Sequence, residues 1–181
     1  MCGIVGIVSN KSVSSSIISA LKKLEYRGYD SAGISTITNG HINEKKCSGR
    51  VDNLEKILFQ NPSSGDLGIG HVRWATHGIP NKINAHPHSS EVVSVVHNGI
   101  IENSDNLRNE YKKKGYSFKS QTDTEVITIM LTDFLKKDNL INCIHKTLEK
   151  LEGSFALGVI FKDYNNVVVG ARRGSPLAVG Y

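Results

Sequence analysis

The chain opens with MCGIVGIV at residues 1–8, a cysteine behind the initiator methionine followed by glycine and β-branched residues. Such a run favours a buried strand from Gly3 to Val8. Removal of Met1 would make Cys2 the first residue and place a free α-amine beside its thiol. An α-amine has a pKa of about 7.7–8.0, so at neutral pH it can accept the thiol proton and later return it. Cys2 is therefore a candidate N-terminal nucleophile, and the alternative is an inert residue of a buried strand.

The composition indicates one globular domain. The 181 residues are 39% hydrophobic and 22% charged, which suits a folded chain with a sizeable core. The net charge of +5 comes from scattered lysine pairs and one triplet, most of them near the ends of apparent helices, and no aromatic residues interleave with them. We therefore expect no nucleic-acid partner. No stretch approaches the roughly 18 apolar residues of a membrane span, so no membrane association is expected either.

The cysteines indicate a reducing compartment. Cys2, Cys47 and Cys143 are odd in number and contain no C-x-x-C pair, which argues against a disulfide framework and against a cysteine-based zinc site. The short apolar run at the N-terminus is not preceded by the basic segment of a secretion signal. A cytoplasmic protein is the expectation.

Hydrophobic periodicity and turn signals predict an α+β domain with mostly antiparallel sheets. Helices are predicted at residues 12–24, 51–60, 104–114 and 140–151, and one more begins at a capping box, 122–125, and ends near 137. Strands are predicted at residues 3–8, 32–38, 41–47, 67–74, 92–97, 155–161, 167–171 and 177–181. Asn39-Gly40 joins two of them as a hairpin. Because the last predicted strand stops at the last residue, the chain is expected to end within a sheet.

Histidines cluster in the middle of the chain. Five of the seven lie within 27 residues, at His71, His77, His86, His88 and His97. The His86-Pro87-His88 spacing is not the helical spacing of a zinc motif, and the proline holds the segment extended. Structural histidines are therefore the favoured interpretation, and a metal site is the alternative.

Asn98-Gly99 allows two interpretations. The pair follows an apolar run and precedes Ile100-Ile101, so it could be a simple hairpin turn. A tight turn would also expose the Gly99 N–H beside the Asn98 amide, and two such donors can hold an oxyanion.

Arg73 and Asp123 are candidate substrate ligands. Strand alternation places Arg73 on the same face as His71, at a strand end where a guanidinium could grip a carboxylate with two hydrogen bonds. A strand-end salt bridge is the alternative. Asp123 could likewise be only a carboxylate in the first turn of a helix, favoured there by the helix dipole.

Taken in order, these motifs resemble the class II glutamine amidotransferases along the whole chain. The matching segments are 1–6, 26–33, 70–78, 84–88, 97–103, 122–125 and 172–177. Within that family, Arg73-Trp74-Ala75-Thr76-His77-Gly78 and the His-Pro-His motif resemble the subfamily that uses glutamine to aminate fructose 6-phosphate. Phosphoribosyl amidotransferases usually have Tyr-Ser where this chain has Trp74-Ala75.

The resemblance implies a fold and a set of roles. The fold would be an N-terminal-nucleophile hydrolase-like four-layer αββα sandwich. Cys2 would attack the glutamine amide, with Asn98 and the Gly99 N–H as oxyanion hole. Substrate would be held by the residues that match the family's pocket, which are Arg73 for the α-carboxylate, Asp123 for the α-ammonium, and Thr76 and His77. Arg27 would lie beside Cys2, His86 would support the site, and Trp74 would gate the ammonia route.

The resemblance also sets expectations about partners. It implies L-glutamine as substrate, no cofactor and no metal, and it leaves a homodimer open. Residues 2–181 would form an incomplete glutaminase domain that in the full enzyme works with a sugar-phosphate isomerase domain absent from this chain. The alternatives are the glutaminase module of another amidotransferase, such as amidophosphoribosyltransferase, or an inactive fragment that binds glutamine or a partner.

Overall fold

A computed structural model describes residues 2–74 and 78–180, and in it two antiparallel sheets face each other with helices outside both. The first sheet has the strand order β1-β4-β2-β3. Its strands are β1 (Gly3–Val8), β2 (Ser31–Thr38), β3 (His41–Ser48) and β4 (Leu67–Arg73). Helices α1 (Ser14–Leu24) and α2 (Val51–Gln60) cover its outer face.

The second sheet has the order β5-β6-β7-β8. Its strands are β5 (His88–Ser89), β6 (Val93–Ile101), β7 (Gly153–Phe161) and β8 (Val168–Arg173). Helices α3 (Ser104–Lys113), α4 (Thr124–Leu135) and α5 (Leu140–Lys150) pack against this sheet around a large apolar cluster. The predicted helices and all but one of the predicted strands are thus confirmed, within a few residues at their ends.

A third cluster of buried side chains holds the sheets together. Ile37, Leu67 and Ile69 of the first sheet meet Val96 and Ile160 of the second. Burial of such side chains contributes about 1.5–3 kcal/mol each. The four-layer αββα architecture is therefore confirmed, with mostly antiparallel sheets as predicted.

Local sequence explains the sharpest turn of the first sheet. Asn39 and Gly40 both have positive φ, 52° and 72°, and connect β2 to β3 in the hairpin that their sequence predicted. One strand prediction is wrong. Residues 177–180 form no strand, because Gly174, at φ 74°, turns the chain away from β8 and Leu177 packs back over Gly170. Along the described ranges, no helix has both the length and the apolar content needed to cross a membrane.

Candidate active site

Cys2 lies at the start of β1, beside the end of β4. The Trp74 backbone N–H donates to the Cys2 Sγ at 3.4 Å, and the thiol donates to the Trp74 carbonyl at 3.6 Å. Burial raises the pKa of the Cys2 thiol, although the backbone hydrogen bond from Trp74 and the charge of Arg73 partly oppose the rise. The thiol is therefore protonated at neutral pH and needs a base before it can act as a nucleophile.

The tight packing around Cys2 depends on Gly28. A Cβ at Gly28 would lie 2.6 Å from the Trp74 nitrogen and 2.7 Å from the Arg73 carbonyl oxygen. The Asp30 N–H donates to that same carbonyl at 3.0 Å. Arg27, in a short 3-10 turn, donates from Nε to the Cys2 carbonyl at 3.3 Å. The segment around Gly28 thus braces both Cys2 and the end of β4.

Arg73 is the last residue of β4 and is almost fully buried, with 3% of its surface exposed. Its guanidinium donates to the carbonyls of Gly78 and Ile79 at 3.4 and 3.5 Å. These are longer than the usual 2.7–3.2 Å of such bonds. Burial lowers the pKa of the Arg73 guanidinium, and the nearby groups of Cys2 and Asp123 oppose that change, so the positive charge is retained beside the thiol.

The hairpin interpretation of Asn98-Gly99 is wrong, because both residues lie inside β6 and pair with Ala156 and Phe155 of β7. Gly99 has φ 136°, a conformation that favours glycine. A Cβ at Gly99 would overlap the Ser154 carbonyl and lie 2.7 Å from the Phe155 Cα. The strand therefore brings a glycine backbone close to Cys2 without a turn.

The capping-box prediction, which pairs Thr122 with Glu125, is wrong, because the Thr122 Oγ1 lies 2.9 Å from the His88 Nε2 instead. Asp123 occupies the N-cap position of α4, but its side chain does not cap the helix. Its Oδ2 accepts instead from the Ile101 N–H at 2.9 Å, just beyond Gly99 in β6. Glu125, the other half of the predicted box, accepts from the backbone N–H groups of Lys119 and Ser120. Donors outside the helix thus form hydrogen bonds with both carboxylates, and the Asp123 side chain is hydrogen-bonded to β6.

Among the described residues, Cys2 lines a small cavity and a larger one. The first, about 20 Å³, brings the thiol together with a cation and an anion. Its lining residues are Cys2, Arg73, Trp74, His86, His97, Gly99, Thr122, Asp123 and Thr124. The second, about 520 Å³, includes Asn98, Arg27 and Arg172. Within the described residues, the first cavity has room for about one water molecule.

Most predicted site residues thus lie around Cys2, and two lie outside the described residues. Those two are Thr76 and His77, in the segment 75–77. Trp74 is 45% exposed and makes an edge contact with Tyr29 at 5.7 Å between ring centres. Sequence reasoning missed Thr124, which it had assigned to the capping box.

The buried histidines form a neutral layer beneath the site. His86 stacks on His71 at 4.2 Å and meets His88 edge to face at 4.8 Å. Burial lowers the pKa of His71 to about 3 and holds those of His86 and His88 well below the usual value. His71 donates from Nε2 to the His97 carbonyl at 2.9 Å, directly before Asn98. In residues 2–74 and 78–180, no group of three or more histidine, cysteine or acidic side chains has the geometry of a metal site.

Comparisons with known proteins agree with this geometry. A family model described as a glutamine amidotransferase domain matches residues 71–177. Glutamine–fructose-6-phosphate aminotransferase (isomerizing) of Mesorhizobium japonicum is 52% identical over 182 residues, covering 100% of this chain and 30% of that protein. The protein of the same name from Clostridium acetobutylicum is 53% identical, covering 99% of this chain and 30% of its own length. The chain therefore spans about 30% of the length of these curated relatives.

Solved structures support the same fold. Glutamine phosphoribosylpyrophosphate amidotransferase from B. subtilis superimposes with a TM-score of 0.77 at 24% identity, covering 90% of this chain and 35% of that one. A second structure, described as the allosteric regulatory enzyme of purine biosynthesis, gives a TM-score of 0.69 at 26% identity, covering 89% of this chain and 35% of that one. At 24% identity, the first of these likenesses shows the fold alone.

Proposed function

Since the chain belongs to the glutamine amidotransferase family, we propose that it hydrolyses L-glutamine to glutamate and ammonia with Cys2 as nucleophile. One observation carries the proposal. The Cys2 thiol shares a cavity with the Arg73 guanidinium and the Asp123 carboxylate. A zwitterionic amino acid presents a carboxylate and an ammonium on one carbon, and this pair of opposite charges complements it. The side-chain amide would then extend towards the thiol.

The residues around the thiol suit the steps of amide hydrolysis. Arg73 would pair with the glutamine α-carboxylate and Asp123 with its α-ammonium, while Thr76 and His77 would complete the pocket. The Asn98 amide and the Gly99 N–H would donate to the oxyanion that forms when sulfur attacks the amide carbon. Arg27, which donates to the Cys2 carbonyl, would hold the N-terminus in place. His86 would support the cavity from below.

The base in this scheme is the α-amine that Cys2 gains when Met1 is removed. The amine takes the thiol proton, and the thiolate attacks the amide carbon to form a tetrahedral intermediate. The amine then gives the proton to the amide nitrogen, the C–N bond breaks, and ammonia leaves a γ-glutamyl thioester on Cys2. Water adds to the thioester, glutamate is released, and the thiol is restored.

We infer the wider role from the relatives. In the full enzyme, residues 2–181 would supply ammonia to a sugar-phosphate isomerase domain that converts fructose 6-phosphate to glucosamine 6-phosphate, in cytoplasmic amino-sugar biosynthesis. The identity of about half the residues to proteins named for fructose-6-phosphate amination supports this acceptor. Trp74 is exposed, lines the cavity and contacts Tyr29, and these observations support a role for its indole beside an ammonia route.

Mass spectrometry and a glutaminase assay test the proposal together. The purified chain should lose Met1, and an electrophilic glutamine analogue such as 6-diazo-5-oxo-norleucine should label Cys2 once per chain. Cys2→Ser should reduce glutamate release by at least about a thousandfold. Cys47→Ser, which changes a buried thiol of β3, is the matched control and should retain the activity. Undiminished glutamate release by Cys2→Ser would refute the mechanism.

A further inference from the structure

A single buried hydroxyl connects three segments beneath the cavity. Thr124, the first residue of α4, is fully buried. Its Oγ1 lies 2.7 Å from the His86 Nε2 and 2.9 Å from the His97 Nδ1. The same oxygen lies 3.5 Å from the Asp123 Oδ1. Since a hydroxyl has one proton to donate, at least one imidazole must donate to Thr124 rather than accept from it.

The charge of Asp123 decides the direction of these hydrogen bonds. The Asp123 Oδ1 lies 3.8 Å from the His97 Nδ1. A carboxylate at that distance favours the tautomer of His97 that carries a proton on Nδ1. His97 Nδ1–H then donates to the Thr124 Oγ1, and the Thr124 hydroxyl donates to the His86 Nε2. Both imidazoles remain neutral in this arrangement.

The two oxygens of Asp123 are used differently. Oδ2 accepts from the Ile101 N–H at 2.9 Å. Among the described residues, the polar groups recorded near Oδ1 are the Thr124 hydroxyl at 3.5 Å and His97 Nδ1 at 3.8 Å. Both distances exceed those of normal hydrogen bonds. Oδ1 is thus the oxygen left for a ligand, and His97 is the group best placed to compete for it.

We propose that Thr124 is a specificity-determining positioning residue, whose hydroxyl engages His97 and so keeps the Asp123 Oδ1 available for the α-ammonium of glutamine. This rests on the proposed function of Asp123. Without the hydroxyl, a shift of the His97 ring by about 1 Å towards Asp123 would let His97 Nδ1–H donate to the Asp123 Oδ1 in a charge-assisted hydrogen bond. The carboxylate would then be paired within the protein, and its discrimination in favour of the ammonium would fall.

Thr124→Val tests this, because valine keeps the shape and removes the hydroxyl. KM for glutamine should rise by about ten- to a hundredfold, with kcat changed less than about threefold, since a hydrogen bond between charged groups is worth that factor. Hydrolysis of 4-carbamoylbutanoate, which is glutamine without its α-amine, should remain at the parent level. Thr124→Ser should restore most of the affinity for glutamine.

Two controls separate this role from general structural support. Thr128→Val removes a buried hydroxyl one turn further along α4, where it donates to the His88 carbonyl, and it should leave KM unchanged. In an Asp123→Asn background, adding Thr124→Val should change KM by less than about twofold, because the carboxylate charge is already absent. Equal losses on glutamine and on 4-carbamoylbutanoate, or full additivity with Asp123→Asn, would overturn the proposal. If Thr124→Val does not fold, Thr124→Ala is used with the same expectations.

Nitrogen-15 NMR of the His97 ring supplies a readout independent of activity. In the parent chain the ring should be neutral with its proton on Nδ1 at pH 6, and in Thr124→Val the Nδ1–H resonance should move downfield as this N–H donates to the Asp123 carboxylate. A parent chain that releases no Cys2-dependent glutamate would refute the proposed function, and the NMR result would still decide the contact. An imidazolium already present in the parent, or no change in the variant, would overturn the role of Thr124.

Discussion

Mild acid should destabilise this protein through its buried histidines. His71, His86 and His88 are each 5% exposed or less, and burial lowers the pKa of all three rings. In the unfolded chain, each ring titrates near 6.5. As the pH falls below that value, the unfolded state binds protons that the folded state excludes. The free energy of unfolding must therefore fall with decreasing pH.

His71 allows the loss to be calculated. Its pKa is about 3 in the folded state. At pH 5 the unfolded ring is protonated and the folded ring is not. This difference lowers the free energy of unfolding by about 2 kcal/mol relative to pH 7.5. The loss reaches about 5 kcal/mol below pH 3, where both states are protonated. His86 and His88 act in the same direction, and a domain of this size has only about 5–15 kcal/mol of stability.

Urea unfolding followed by circular dichroism at pH 7.5, 6.5, 5.5 and 5.0 measures this effect. The free energy of unfolding should decrease by at least about 2 kcal/mol over this range. His71→Gln keeps an Nε2 donor for the His97 carbonyl and removes a titrating ring, so its slope should be shallower by about 1.4 kcal/mol per pH unit below pH 6. His145→Gln, on the exposed side of α5, is the matched control and should retain the parent slope. Constant stability from pH 7.5 to 5.0 would refute the reasoning.

Two substitutions near the cavity have defined outcomes. In Gly99→Ala the new Cβ would overlap the Ser154 carbonyl, and the backbone there has φ 136°, so kcat for glutamine hydrolysis should fall at least about a hundredfold. Gly115→Ala is the control, because its backbone has φ 89° but its Cβ would lie in open space, and it should keep parental kcat. Arg108→Met removes a 2.6 Å hydrogen bond to the Thr122 carbonyl, and it should raise KM severalfold and lower urea stability by about 1–3 kcal/mol. Parental kinetics for Gly99→Ala, or parental KM for Arg108→Met, would contradict these expectations.

Local sequence patterns determined most of the fold. The helix at Val51–Gln60 was predicted with its observed ends, because apolar spacing and charged neighbours agree over its whole length. The β2–β3 hairpin was predictable because Asn39-Gly40 readily adopts two positive φ values. Local patterns could not predict the order of the four layers. The contacts between the sheets join residues far apart in sequence, such as Leu67 and Ile160, and it was the family resemblance that supplied the four layers.

The errors arose where distant partners override a local signal. Asn98-Gly99 has the sequence of a turn, yet pairing with β7 continues the strand through it. The segment 122–125 has the sequence of a capping box, yet the Ile101 N–H and the backbone of residues 119 and 120 bind its two carboxylates. Both failures lie at the cavity. Local rules are most often broken at functional sites, because the site needs a geometry that the local preference would not give.

In the proposed mechanism, the environment of Cys2 makes its own α-amine the necessary base. Burial raises the thiol pKa, so a thiolate does not form unaided at neutral pH. Within the described ranges, the polar atoms in hydrogen-bond contact with the Cys2 Sγ are the backbone N–H and carbonyl of Trp74, and neither can accept a proton as a base. The buried histidines form their hydrogen bonds elsewhere. His71 donates to the His97 carbonyl, and the rings of His86 and His97 bond to the Thr124 hydroxyl. A chain that keeps Met1 has an amide nitrogen at Cys2 and lacks the base, so in the proposed mechanism removal of Met1 is the step that activates Cys2.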